Sequence, residues 1–113
     1  MQKKATLLLP LKYNDGSTIP PKTLVAIQDE IFVTFKGWTL VGEVEGAYQM
    51  QAGDKKVERL LHVWVVLEDS AIPVLKEMVS RFAQTLGQEF IYLEISDSKV
   101  EFIPPAEKKE AIP

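Results

Sequence analysis

Six segments in the order strand, helix, strand, strand, helix, strand predict an α+β domain, a ferredoxin-like split βαβ (βαββαβ) with an antiparallel sheet and two helices on one face. Three observations carry that prediction. Apolar residues recur at helical spacing in two separate stretches, two long strand-like runs joined by a polar turn lie between those stretches, and a short apolar run stands at either end. Right-handed crossovers put both helices on the same side of the sheet and leave its other side uncovered.

Ala5 to Leu11 is a leucine-rich run of strand length, closed by the turn residues Asn14-Asp15-Gly16, of which Asn and Gly tolerate positive φ. Its approach through Lys3 and Lys4 is basic like the start of a signal peptide, but the apolar stretch is short, broken by Pro10 and not followed by small residues, so it reads as a strand. Pro20-Pro21 suits a first helical turn, where a missing N–H costs nothing. Leu24, Ile27, Ile31 and Phe35 then recur at steps of three and four, Val25 and Phe32 widen the stripe, and Gly37 is the expected stop, giving a helix over Pro21 to Lys36.

Thr39 to Met50 loses the helical period and carries Gly42 and Gly46, which weaken a strand or mark a bulge. Across the polar turn Ala52 to Lys56, Val57 to Leu67 is the most strand-like run of the chain, and the two should form a hairpin. Glu68-Asp69-Ser70 offers side-chain caps for a second helix over Ser70 to Leu86, with Pro73 in its first turn and Leu75, Met78, Val79, Phe82 and Leu86 as its buried stripe. Phe90 to Ile95 is the last main strand, and Val100 to Ile103 a short extension or fifth strand after the turn at Asp97-Ser98. Residues 1–103 form one domain in this reading, while 104–113, rich in Pro, Glu and Lys, are a disordered tail with nothing to bury.

The chain has 113 residues, the size of one core, and its 46% hydrophobic and 26% charged residues mark a globular rather than a disordered protein. Thirteen Lys and Arg against sixteen Asp and Glu leave a net charge of −3, which argues against a nucleic-acid partner. No cysteine is present, which rules out disulfides, thiolate nucleophiles and Cys-based metal sites and agrees with a cytoplasmic location. No window approaches the roughly 20 apolar residues of a membrane span, so a soluble protein without membrane contact is expected. No phosphate-binding loop, nucleophile elbow or two-histidine metal motif occurs, and no cofactor is expected.

The informative feature is the uncovered face. Alternation divides the third strand into Leu61, Val63, Val65 and Leu67 against Leu60, His62, Trp64 and Val66, and the last into Ile91, Leu93 and Ile95 against Phe90, Tyr92 and Glu94. If the aliphatic sets meet the helices, the open face carries His62, Trp64, Tyr92 and Phe90, the candidate ligand-binding or interface residues. An apolar face of this kind marks an interface or a groove. Homodimerisation through it is the expected partnership, with a covering C-terminal segment or fifth strand as the alternative.

His62 is the only histidine and could serve as a base or a ligand anchor beside Trp64 and Tyr92, although most histidines on a sheet face have a structural role. A zinc site around it would need three carboxylates from elsewhere. Glu43 and Glu45 share a strand face and could hold a cation or an acid pair, or simply sit at a solvated edge. Tyr13-Asn14-Asp15-Gly16 places polar groups at a strand end, where loops carry function, yet turn geometry already explains its Asn and Gly.

The run L-P-L-x-Y-N-D-G-x-x-I-P-P over Leu9 to Pro21, followed by a helix and a hairpin, resembles the start of small uncharacterised bacterial proteins, a resemblance that implies no activity. Two functions follow from the residues: a homodimeric binding or interaction module without catalytic machinery, or a small dimeric α/β-barrel-type enzyme or ligand binder with a pocket near His62, Trp64 and Tyr92. A pocket reaching His62 favours the second and a packed sheet face the first.

Overall fold

The computed structural model describes residues 1–107. Strand β1 (Gln2–Pro10), helix α1 (Pro21–Phe35), the hairpin β2 (Thr39–Gln49) and β3 (Lys55–Glu68), helix α2 (Ile72–Thr85) and strand β4 (Tyr92–Asp97) follow one another. The sheet order is β2-β3-β1-β4 and each neighbouring pair is antiparallel. This is the ferredoxin-like arrangement.

One parity of each central strand supplies the core. Ala5, Leu7 and Leu9 of β1 and Val63, Val65 and Leu67 of β3 are buried against Leu24, Ile27 and Ile31 of α1 and Leu75, Met78, Val79 and Phe82 of α2. Leu93 and Ile95 of β4 pack at its margin. Both helices therefore lie on the aliphatic face, and no polar side chain is buried among the described residues.

Several sequence expectations change in detail. Val25 and Phe32 are exposed: each follows a buried residue by one position, which turns it about 100° around the helix and away from the sheet. Lys36, not Gly37, takes the left-handed conformation that ends α1, its N–H donating to the Phe32 carbonyl. The chain enters α2 through a 3₁₀ turn at Asp69–Ala71, so Ala71 occupies the cap position and Glu68, Asp69 and Ser70 make no side-chain cap. At the far end Gly87, at φ 62°, closes the helix, with the Gln88 N–H reaching the Ala83 carbonyl.

Phe90 and Ile91 precede β4 rather than starting it, and no strand forms over Val100 to Ile103. A fifth strand would have to fold back on β4, but no residue near Asp97-Ser98 has the positive φ of a tight reversal. Instead the chain runs on past the sheet: Ser98 N–H donates to the Gln2 carbonyl and Val100 N–H to Gln2 Oε1. Residues 104–107 are exposed and without secondary structure, and the remainder of the expected tail lies outside the described residues.

The hairpin is longer than the rest of the sheet. β1 pairs with β3 only from Leu60 to Glu68, so Lys55–Arg59 pair with β2 alone as a two-stranded ribbon. The molecule extends 70 × 28 × 23 Å with a radius of gyration of 17.8 Å, against about 13 Å for a compact chain of 100 residues.

Leu7, fully buried between Val63 and Leu93, tests the core. Leu7→Ala should cost about 2–5 kcal/mol and lower the thermal midpoint by about 10 °C or more, whereas Val33→Ala on the exposed side of α1 should stay within about 0.5 kcal/mol. Equal effects of the two in a melting series would contradict this assignment of faces.

Candidate functional site

The strand registers place the open face in rows. Gly42, His62, Leu8 and Tyr92 form one row across the four strands, and Thr39, Trp64, Thr6 and Glu94 the next. Val44, Leu60 and Pro10 lie on one side of these rows, and Val66, Lys4 and Ser96 on the other. His62, Trp64 and Tyr92 thus share the uncovered face, but Leu8 separates His62 from Tyr92 by two strand spacings, about 10 Å.

The face is not bare. At one end the ring of Tyr48 meets Phe90 edge-on with centroids 5.8 Å apart, and Tyr48, Phe90, Tyr92, Leu8, Pro10, Leu60 and Glu58 surround one small depression. These rings leave Leu60 only 3% exposed although no helix covers it. The Tyr48 ring lies back over Gly46, where a Cβ would come within 2.5 Å of it. Gly46 is therefore needed for close approach, and the bulge of β2 falls at Gly42, where the register shifts. At the other end the Lys4 ammonium lies 4.7 Å from the centroid of the Trp64 ring.

Trp64 also borders a cleft of about 450 Å³ with Phe35, Trp38, Thr39, Val66, Val100 and Phe102. Phe90 and Tyr92 belong to the depression at the opposite end, and His62 lines neither. The four candidate residues therefore fall into two groups with His62 between them. Trp38, Tyr48 and Lys4 escaped the sequence reading, because their neighbours are fixed by strand register and by a bulge that periodicity does not locate.

A second concavity of about 520 Å³ lies on the helix side of the hairpin, between its strands and the loop Leu11 to Gly16. Asn14 ties that loop down: its Nδ2 donates to the Gly87 carbonyl and its Oδ1 accepts from the Lys56 ammonium, each at 2.6 Å. Asp15 accepts from the Ser17 hydroxyl and N–H, which hold its carboxyl below its ordinary range. Only Gly16 has positive φ here. Glu43 and Glu45 do share a face, but Arg59 answers them, lying 3.4 Å from Glu43. No group of three His, Cys, Asp or Glu side chains gathers among the described residues.

Partial burial, and secondarily the charge of Glu58, raise the Tyr48 hydroxyl above the usual tyrosine range. Its neutral form is favoured in the folded state, so its contribution to stability is complete below the ordinary tyrosine value and is lost as pH rises through the raised one. Gly46→Ala should push the ring into water and return its ionisation toward about 10, as absorbance titration of the phenolates would show. An unchanged titration would mean that Gly46 does not seat the ring.

No protein-family model matches the chain, and no curated protein matches it. Solved structures do share its fold. A phage SAM lyase in complex with S-methyl-5'-thioadenosine superposes with a TM-score of 0.67 at 15% identity, covering 85% of this chain and 81% of that one. The divalent cation tolerance protein (Cut A1) from Thermus thermophilus superposes at 0.61 with 16% identity, covering 96% of this chain and 87% of its own. At such identities the likeness is one of fold.

Proposed function

We propose that the chain is a small self-associating binding module, a homodimer closed through the uncovered sheet face, without catalytic machinery of its own. The observation that carries this is the band Leu8, Val44, His62, Trp64, Val66 and Tyr92, which runs across all four strands on the face that neither helix covers. A second copy presents the same band and so fits it in kind.

The magnitudes favour burial. An exposed cation–π contact such as Lys4 on Trp64 contributes about 0.5–1 kcal/mol. Trp64 is half-buried in the single copy, and removing roughly the remaining third of its surface, about 70 Å², contributes about 1.8 kcal/mol. Lys4 can swing to the rim and keep its ammonium in water while the ring packs. The enzyme or ligand-binder alternative has less support, because among the described residues Trp64 and Tyr92 line separate depressions and His62 lines neither.

Trp64→Lys should give a folded monomer, since its charge would be buried unpaired only in the dimer. Val65→Lys, facing the helices from a fully packed position, should unfold the domain. Sedimentation and circular dichroism of both variants decide: a dimeric Trp64→Lys protein removes this interface.

A further inference from the structure

The C-terminal segment of the described chain leaves large apolar side chains exposed. After β4 the backbone is held at Ser98 and Val100 by Gln2, then runs free. Phe102 is 94% and Ile103 76% exposed, the two most exposed large apolar side chains among the described residues. Pro104-Pro105 follow at once, and their missing N–H groups stop any strand there. Glu101, Phe102 and Ile103 thus form a short arm without secondary structure that carries an exposed aromatic side chain.

A receiving edge exists at the same end of the sheet. β2 begins at Thr39, opposite Trp64, so the outer edge of β3 from Val65 to Glu68 has no strand beside it. Two concavities run along that edge, about 450 and 310 Å³ in volume, and share Gln2, Phe35 and Val66 in their walls. Trp38 and Trp64 complete the apolar lining. The chain's own Phe102 touches the rim of this groove and leaves it unfilled.

Building on the self-association above, we propose that the arm Glu101–Ile103 of one copy adds to the unpaired β3 edge of the second, with Phe102 seated between Trp38, Trp64 and Phe35. Area supports an added contact. A face of four strands about 4.8 Å apart and about nine residues long covers roughly 600 Å², short of the about 800 Å² per partner of a stable interface. One phenylalanine brings about 200 Å². Reach permits it as well, because three residues beyond Val100 span about 10 Å and stacked sheets lie about 10 Å apart. The backbone pairing supplies affinity and the aromatic anchor specificity, as in strand addition generally.

The chain has no cysteine, so single introduced thiols report position cleanly. Ile103→Cys and Thr39→Cys proteins mixed and treated with a short bis-maleimide should give a covalent dimer, while each alone should stay largely unlinked. Linkage found only within one chain of the double variant would mean that the arm folds back on its own groove, and would overturn the exchange. No linkage, with a wild type that sediments as a dimer, would overturn the exchange and leave the sheet-face dimer standing; a monomeric wild type removes both. Phe102→Ser should weaken association about tenfold with an unchanged melting point of the monomer, and undiminished association in that variant contradicts the proposal.

Discussion

Two helices can cover only one face of a four-stranded sheet, and in this chain the other face also carries large apolar side chains, set among Thr6, Lys4 and Glu94. The aliphatic parity of β1 and β3 takes the helices and closes a core without a buried polar group among the described residues. Everything distinctive in the molecule concerns the other parity. Leu8, Leu60, His62, Trp64 and Val66 stand on a surface that the fold itself leaves open, and hydrophobic burial scales with whatever area can still be taken from water.

The chain meets part of that demand with its own rings. Tyr48, Phe90 and Tyr92 close over Leu60 and Pro10 at one end, which in turn requires Gly46 to lack a side chain. Lys4 lies over Trp64 at the other end. Between these two devices the row through His62 stays uncovered. The same end-to-end asymmetry holds for the backbone: the hairpin overruns β1 as a ribbon at one end, and β3 overruns β2 at the other. An isolated two-stranded ribbon has marginal stability, which sets the hairpin overhang apart, whereas at the other end β3 keeps β1 beside it.

Much of this was legible from the residues. Period-two alternation in Leu60–Leu67 separates the two faces correctly, and the helical stripes of Leu24, Ile27, Ile31 and of Leu75, Met78, Val79, Phe82 name the core residues, because burial on one side of a regular element leaves a simple period. The sites were less legible. The strand registers put His62, Trp64 and Tyr92 on one face, with Phe90 beside Tyr48 at its end, but their grouping depends on which strands lie between them, and Leu8 of β1 keeps His62 from Tyr92. Trp38 and Tyr48 belong to the same story through a bulge at Gly42 and a ring folded over Gly46. The absent fifth strand follows from the course of the chain after Asp97, where local composition favours a strand and nothing turns it back.

His62, the single histidine, offers the most direct measure of whether a second copy covers this face. Its modification by diethyl pyrocarbonate can be followed by mass spectrometry over a wide range of protein concentration. Self-association through the sheet face predicts a rate that falls as concentration rises, in step with the sedimenting mass. A rate independent of concentration, in a protein that nonetheless associates, would contradict it.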